Sequence, residues 1–246
     1  RIHSKEETIT AINIAKSVGF KDLNVDLMHG LPGQSVESAI EDLKIAVDNA
    51  PTHISWYQLT IEPNTYFYSY PPNLPEDIIL HTIYERGIEV LESNGYSQYE
   101  VSAFAQKSKN SSHNCNYWNF GDYIGIGAGA HGKLTMPIDN KLVRSKKLKQ
   151  PNNYMNKVQS EVTQLNEILI EERTVEFLMN ALRLRRGFSR HLFEKRTGIE
   201  FGEISKTLTT LIENELIQIK NINGESFYSA TRTGYRFLDT LLGEFL

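Results

Sequence analysis

The sequence of 246 residues has little cysteine, no long apolar run and no excess of positive charge. Its one cysteine, Cys115, excludes an internal disulfide framework and any iron–sulfur or zinc site built from several thiolates of this chain. No apolar run approaches the roughly eighteen residues of a membrane span, and no secretory signal opens the chain. The net charge of −4 gives no general reason to expect a polyanionic partner. We therefore expect a cytoplasmic protein.

The length and composition predict a globular chain of one or two domains. Apolar residues make up 40% and charged residues 23%, as in ordinary globular proteins. A chain of this size can bury a substantial core. Because the chain begins at Arg1, without a methionine and directly before a helix signal, we expect a fragment of a longer protein.

The stretch 113–132, HNCNYWNFGDYIGIGAGAHG, combines five glycines with two histidines and several large aromatic side chains. Neither an amphipathic helix nor an ordinary strand needs this mixture. Glycine allows the backbone to approach another surface closely, and Tyr117, Trp118 and Tyr123 offer flat apolar faces. Two interpretations stand side by side on spacing alone. One is a cavity wall that accepts a large flat guest, and the other is a tightly packed crossover between domains.

The first half of the chain alternates helix and strand signals. Ser4 and Glu7 form a capping box, and Ser35 is an N-cap candidate before an apolar helical face. This order predicts βαβ units and a parallel sheet. The predicted elements are a helix at 4–18, a strand at 23–28, a helix from 35, a strand at 54–61 and a helix at 76–91.

Polar residues interrupt two of these predicted strands. Asp26 stands mid-strand among apolar neighbours, where an unpaired carboxylate would be costly. The segment 29–33 follows at the carboxyl end of the strand, where βα barrels assemble their sites. Gln58 and Thr60 alternate with apolar residues of the next strand, so we expect them to point toward the same mouth. A carboxylate bonded to neighbouring backbone is the alternative for Asp26.

The second half indicates a winged-helix-like arrangement. The predicted elements are helices at 168–184, 189–196 and 203–214, a hairpin turn at Asn223-Gly224 and a last helix at 235–246. Residues 150–166 are predicted to form a linker or a loosely packed helix. From Arg183 to Leu246, ten Lys or Arg residues stand against eight Asp or Glu residues. This balance of +2 favours a packing role and no nucleic-acid partner.

Four motifs occur in order along the chain: DLMHGLPGQS at 26–35, HISWYQLTIEPNT at 53–65, HNCNYW at 113–118 and GDYIGIGAGAHG at 121–132. Together they resemble the oxygen-independent coproporphyrinogen III oxidase-like radical SAM family, in particular its HemW-type heme-chaperone branch. The resemblance runs over essentially the whole chain. Its HNxxYW element favours the chaperone branch over the oxidase branch.

This resemblance implies an α/β fold. We expect the C-terminal part of a radical SAM (β/α)6 partial TIM barrel over residues 1–150 and a small winged-helix-like α+β domain over residues 151–246. The resemblance also implies S-adenosyl-L-methionine (SAM) and a [4Fe-4S] cluster in the intact protein. The family holds this cluster with a CxxxCxxC loop that the chain does not contain. We therefore expect the chain alone to be inactive as an enzyme.

The family pattern places SAM contacts on two residues of this chain. Asp26 matches the aspartate of the DLMHGLP strand and suits the donors of the ribose or the amino group. Arg1 matches, by spacing, an arginine that suits the methionyl carboxylate. Gln58 and Thr60 are weaker SAM candidates, placed by strand position.

The HNxxYW element carries the heme candidates of the family. It maps onto His113, Asn114, Tyr117 and Trp118, with His113 as the ligand of the heme iron, because imidazole is a common axial ligand. Further ligand candidates are His131 and then Cys115. Ser111 stands where the family commonly has a cysteine, which counts against a thiolate at that position.

The resemblance implies a protein that binds heme and hands it to respiratory acceptor proteins, with membrane-associated acceptors among the alternatives. The rival function is an anaerobic coproporphyrinogen III oxidase, in which a radical abstracts hydrogen before decarboxylation. A partial barrel also leaves one strand edge without a neighbour, so we expect self-association of the fragment or a partly disordered N-terminus.

Overall fold

The computed structural model describes residues 4–157 and 161–246, and the chain divides into two compact units. The first unit ends at Ser111 and the second begins at Ser112. This division falls earlier than the predicted boundary at residue 150. The reason is that residues 131–168 form one sheet, and buried side chains of this sheet belong to the core of the second unit.

The first unit contains the predicted elements and three that the sequence did not indicate. In chain order they are α1 (Lys5–Ser17), β1 (Asn24–His29), α2 (Val36–Asp48), β2 (His53–Gln58), α3 (Tyr66–Ser69), α4 (Asp77–Ser93), β3 (Ser97–Glu100) and β4 (Ala103–Ala105). The capping box of Ser4 and Glu7 starts α1, and Ser35 caps α2 as predicted. The additions are α3, β3 and β4.

The sheet of the first unit has the strand order β1-β2-β4-β3. β1 and β2 are parallel, with Asp26 opposite Ser55, and α2 connects them. This confirms the predicted βαβ unit. β4 runs antiparallel to both β2 and β3, so the predicted parallel arrangement ends at β2. β1 lies at one edge, where its described pairing is with β2 alone.

Helices α2 and α4 cover one face of this sheet. Leu43 of α2 and Ile83 of α4 are fully buried, and so is Ile54 of β2. Burial of each such side chain stabilises the fold by roughly 1.5–3 kcal/mol. Gly87 of α4 lies directly against the Trp56 ring, and a Cβ at this position would overlap that ring. The helix therefore reaches its packing distance because residue 87 has no side chain.

The second unit follows with two sheets and seven α-helices among its described residues. Its elements are α5 (Ser112–Trp118), β5 (His131–Met136), a 3-10 turn (Pro137–Asp139), β6 (Lys141–Lys147), α6 (Pro151–Asn156), β7 (Thr163–Ile168), α7 (Ile170–Ala181), β8 (Phe188–Ser189), α8 (Arg190–Thr197), α9 (Gly202–Glu213), β9 (Ile217–Ile222), β10 (Glu225–Ala230), α10 (Arg232–Arg236) and α11 (Leu238–Gly243). One antiparallel sheet has the order β5-β6-β7 and the other has the order β8-β10-β9.

The winged-helix-like part is confirmed. Helices α7, α8 and α9 precede the hairpin of β9 and β10. Asn223 and Gly224 both have positive φ at the turn, as a two-residue hairpin of this kind requires. The core contains Phe177, Phe188 and Phe193 in edge-to-face and tilted contacts.

Two predictions for the second unit differ from the structure. Within 150–166, residues 151–156 form α6 and the last residues enter β7; residues 158–160 lie outside the described part. The last helix divides at Phe237, whose φ of −116° and ψ of 37° end α10 and begin α11. Within the described ranges, none of the helices combines the length and apolar character that crossing a bilayer requires.

Candidate functional site

Asp26 lies on the face of β1 that α2 and α4 do not cover. Val25 and Leu27 pack against the core of the first unit, and Asn24 and Asp26 alternate with them and are exposed. The carboxylate therefore stays in water, and the cost expected for a mid-strand charge does not arise. Asn24 Nδ2 donates a hydrogen bond of 2.8 Å to Asp26 Oδ1.

Asn24 connects Asp26 to a series of hydrogen-bonded polar groups, most of them buried in the sheet. His53 and Ser55 of β2 are only 5% and 2% exposed. His53 Nδ1 lies 2.6 Å from Asn24 Oδ1, and Ser55 Oγ donates to the same oxygen at 3.1 Å. On its other side, His53 Nε2 lies 2.8 Å from the hydroxyl of Tyr99 in β3. These contacts link three strands of the sheet to one carboxylate.

The hydrogen-bond partners determine the orientation of every polar group in this series. Asn24 Oδ1 accepts from Ser55, so its amide nitrogen must face Asp26, which can only accept when ionised. His53 then carries its proton on Nδ1 and accepts from Tyr99 at Nε2. Burial lowers the pKa of His53, an effect that the charge of Asp26 opposes. A neutral imidazole therefore holds the Asn24 amide, and this amide in turn holds the carboxylate.

Gln58 and Thr60 do not join Asp26. Gln58 pairs in register with His29, and strand alternation puts it on the opposite face from Ser55 and Asp26. Thr60 follows the end of β2 and is exposed, and its hydroxyl donates to Glu62 Oε1 at 3.0 Å. The expected common mouth is therefore not formed by these side chains, and Arg1 lies outside the described residues.

Thr60 instead lines a cavity of about 290 Å³ that is open to solvent. The lining residues are Thr60, Glu62, Thr65, Tyr66 and Phe67. Thr65 caps the short helix α3 through its side chain, and the first two residues of this helix are the aromatic residues of the lining. The cavity thus combines hydroxyl, carboxylate and aromatic groups, and no local pattern in the sequence indicated α3.

His29 is a buried residue whose role the sequence did not indicate. It is 3% exposed, and its ring contacts Trp56 in a tilted arrangement with 4.2 Å between centroids. His29 Nδ1 and Trp56 Nε1 are both buried without a hydrogen-bond partner among the described residues. Burial lowers the pKa of His29 to about 4. The histidine is therefore neutral near pH 7.

The HNxxYW element forms the helix α5, a secondary structure that the sequence analysis did not assign to it. α5 places residues four apart on one side, so that His113 shares a side with Tyr117, and Asn114 shares another with Trp118. The single motif therefore presents two surfaces with different surroundings.

The His113 side of α5 is aromatic and accessible. His113 is exposed and meets Tyr117 edge-on, with 4.8 Å between ring centroids. Tyr117 in turn packs on Tyr123 at 4.3 Å. Burial raises the pKa of Tyr117, and Tyr123 adds to the shift, so the hydroxyl stays protonated. The arrangement orients an accessible imidazole against two rings that can stack on a flat apolar molecule.

The Trp118 side of α5 is packed within the second unit. The guanidinium of Arg183 lies over the Trp118 ring at 4.3 Å, and Trp118 Nε1 is buried without a partner among the described residues. One face of this ring is therefore occupied by a cation–π contact. Asn114 and Cys115 are half-buried. Of the four heme candidates, the structure leaves His113 most accessible.

The glycines that follow α5 serve close packing. Tyr123 and Lys133 form a β-bridge, so the stretch after Gly121 lies along β5. A Cβ at Gly125 would collide with the carbonyl of His131, and a Cβ at Gly132 would collide with Ser145. These contacts favour close packing over a cavity wall for this part of the stretch, which lies inside the second unit and not between the two units. His131 is exposed on β5, opposite Lys146.

An ion pair between a buried lysine and a partly exposed aspartate anchors the same stretch. Lys133 is 1% exposed, and its Nζ lies 3.0 Å from Asp122 Oδ1 and 3.0 Å from the carbonyl of Phe120. Thr135 donates to Asp122 through its amide and its hydroxyl at 2.9 and 2.8 Å. Burial lowers the pKa of Lys133, and Asp122 opposes that effect. A lysine between glycine and leucine gives no signal of burial, so the sequence could not indicate this pair.

The donor sets fit the implied cofactors unequally. Asp26 offers an exposed carboxylate for the hydroxyl or amino donors of SAM. By contrast, no three His, Cys, Asp or Glu residues come together as a metal site within residues 4–157 and 161–246. With Cys115 as its one thiol, this chain does not fit a [4Fe-4S] cluster.

The comparisons with known proteins first define the class. Residues 170–236 match the model of the HemN C-terminal domain. The whole chain superposes on 59% of the structure described as "Coproporphyrinogen III oxidase (HemN) from Escherichia coli is a Radical SAM enzyme", with a TM-score of 0.73 and 18% identity. This likeness confirms the predicted fold, a C-terminal part of the radical SAM barrel with a winged-helix-like domain.

The sequence relatives carry the name of the chaperone branch. Over its full length the chain is 42% identical to the heme chaperone HemW of Haemophilus influenzae and 41% identical to that of Escherichia coli K12. The chain spans 62% and 63% of these two relatives. It is therefore a relative of the HemW and HemN proteins, and the family resemblance predicted from its four motifs is confirmed.

Proposed function

We propose that this chain is the part of a radical SAM heme chaperone that contacts heme and contributes to SAM binding. The observation that carries the proposal is the exposed His113, backed by two aromatic rings, in a chain about 40% identical to HemW heme chaperones. The cargo is heme, and its acceptors are respiratory heme proteins, with membrane-associated ones among them. The activity belongs to the cytoplasm.

His113 is the proposed axial ligand of the heme iron. Its ring is exposed, and an imidazole nitrogen is a common ligand for this metal. Tyr117 and Tyr123 supply stacking surface for the porphyrin behind it. Asn114 and Trp118 support the helix from its packed side. His131 and Cys115 are the next ligand candidates.

Asp26 is the proposed SAM contact on the first unit. Its carboxylate is presented by Asn24, which donates to one of its oxygens. SAM, when bound to the intact protein together with the [4Fe-4S] cluster, supplies the radical chemistry of the family. Arg1, Gln58 and Thr60 remain SAM candidates by motif and strand position.

A second candidate function is anaerobic coproporphyrinogen III oxidation, which the fold of the HemN structure favours. At 18% identity this likeness concerns the fold alone and not the substrate. The exposed His113 of HNxxYW supports the chaperone, since an iron ligand has no role toward a metal-free porphyrinogen.

A hemin titration tests the proposal. Addition of hemin to the protein should shift the Soret band, and His113→Ala should weaken the uptake, while His191→Ala on exposed α8 should leave it unchanged. Failure to take up heme, together with turnover of coproporphyrinogen by the intact protein under reducing anaerobic conditions, would establish the rival function.

A further inference from the structure

A second cavity lies in the second unit, separate from the His113 side of α5. Its volume is about 440 Å³, which falls within the range of small-molecule sites. The polar and charged lining comes from Asp122, Thr135, Asn140, Lys141, Arg173, Lys195, Arg196 and Thr197. Met136 and Leu142 add an apolar wall. In this lining, cationic side chains outnumber anionic ones, although the chain as a whole has a net charge of −4.

The negative charges at this cavity are already compensated. Asp122 accepts from Lys133 and twice from Thr135, as described above. Lys141 pairs with Glu167 at 3.1 Å. Among the residues that the structure describes, the other three cations of the lining, Arg173, Lys195 and Arg196, have no ion-pair partner.

Arg173 is the deepest of these cations. It is 3% exposed, and its guanidinium donates to the backbone carbonyls of Asn140, Ile168 and Thr197 at 2.9, 3.2 and 3.1 Å. Within the described residues, no carboxylate forms an ion pair with it. Carbonyl dipoles supply partial negative charge, whereas burial of a full charge calls for a full countercharge.

Arg196 and Lys195 complete the cationic side. Both lie in the last turn of α8, where cations complement the helix dipole. That role needs only solvated side chains, yet Arg196 Nε is buried without a partner among the described residues. Arg196 is also close enough to Lys133 to oppose protonation of that lysine, which shows the local excess of positive charge.

Gly198 keeps the cavity open beside Arg173. It ends α8 with a φ of +71°, and a Cβ at this position would crowd the side-chain oxygen of Asn140. The end of α8 therefore places Arg196 and Thr197 beside the turn between β5 and β6, and these residues line the same cavity.

We propose that this cavity binds a small oxyanion-bearing molecule, a carboxylic acid or a phosphate ester, whose anionic group lies between Arg173 and Arg196. Lys195 adds charge at the rim, and Met136 and Leu142 contact the apolar part of the ligand. This inference is independent of heme and SAM binding.

The test uses inorganic phosphate and succinate as separate probes of the chain, followed by amide NMR at Thr197 and Gly198. We expect saturable shifts with a Kd below about 1 mM for at least one probe. The probe that binds more tightly identifies the phosphate or the carboxylate class. Arg196→Gln and Lys195→Gln should each weaken binding about tenfold, the typical value of one charge-assisted hydrogen bond.

Lys206→Gln on the exposed side of α9 is the matched control and should leave the Kd unchanged. Thermal unfolding of each variant confirms that it is folded. The proposal is overturned if neither probe shifts these amides up to about ten times the expected Kd. It is also overturned if Arg196→Gln and Lys195→Gln, while folded, bind as tightly as the Lys206→Gln control.

Discussion

The two proposed contact residues, Asp26 in the first unit and His113 in the second, are held in different ways. Asp26 is fixed by a directional series of hydrogen bonds that runs through Asn24 and His53 to Tyr99. The His113 ring has no hydrogen bond among the described residues and rests on Tyr117. Hydrogen bonds define one orientation, whereas ring contacts permit several. A cofactor that reacts in one geometry suits the first arrangement, and a cargo that must be released suits the second.

The largest expected effect concerns the packing that supports the Asp26 sheet. Gly87→Ala would force α4 away from Trp56, whose neighbour Ser55 belongs to the hydrogen-bonded series of polar groups. We expect a loss of about 3 kcal/mol in the free energy of unfolding, as for a severely overpacked core. Chemical denaturation measures it. Gly202→Ala, where the added Cβ meets nothing within 4 Å, is the control and should change stability by less than about 1 kcal/mol.

The next effect concerns the anchor of the glycine-rich stretch beside α5. Lys133→Ala removes a buried cation and leaves Asp122, which is about one-third exposed, with its Thr135 bonds. We expect a loss of about 2–3 kcal/mol, less than for a fully buried pair because water reaches Asp122. Lys141→Ala removes the exposed pair with Glu167 and should cost less than about 1 kcal/mol. Equal costs for the two variants would show that burial of Lys133 has no energetic consequence.

The pH dependence of the free energy of unfolding tests the burial of His29 in the core of the first unit. The pKa of His29 is about 4 in the folded chain and ordinarily 6.5, so the unfolded chain binds the proton first as the pH falls. The free energy of unfolding should therefore decrease from pH 6.5 toward pH 4, by about 2 kcal/mol between pH 7 and pH 5. His29→Phe should remove this part of the pH dependence. A variant that retains the full slope would assign it to other groups.

The smallest expected effect concerns the hydrogen-bonded series of polar groups that runs from Asp26 to Tyr99. Tyr99→Phe removes the donor to His53 Nε2 and should cost about 1 kcal/mol. In ¹⁵N NMR spectra, His53 of the unaltered chain should show a protonated Nδ1 and an unprotonated Nε2. The control is Tyr57→Phe, because Tyr57 lies in β2 like His53 and its side chain is 42% exposed. Observation of the opposite His53 tautomer would contradict the orientation assigned to Asn24 and thereby the fixed position of Asp26.

Local signals in the sequence predicted much of this fold. The Ser4–Glu7 box, the Ser35 cap and the Asn223-Gly224 turn each specify a structure through neighbouring residues, and each is present. The strands β3 and β4 are too short to show a period. α5 lacks an apolar stripe because its faces are aromatic and polar. β6 pairs with β5 across residues 137–140 and with β7 across residues 148–162, and neither connection contains the Asn-Gly turn signal that marks the hairpin of β9 and β10.

The candidate site was predictable only in part, for the same reason. Asp26 and His113 were identified from the motifs that contain them. Their surroundings depend on contacts over long sequence separations: His53 meets Tyr99 across 46 residues, and Arg183 covers Trp118. The burial of Arg173 and Lys133 likewise arises from packing. The expected self-association through the edge of β1 stays a prediction that light scattering can check.

The central claim is that His113 is the heme ligand on an exposed helix face, and a comparative hemin titration tests it most directly. The unaltered chain should show a Soret shift typical of histidine ligation. His113→Ala should lose that shift and bind at least about tenfold more weakly, as expected when one strong ligand is removed. An unchanged Soret spectrum and affinity in His113→Ala would contradict the claim and move the ligand to another residue.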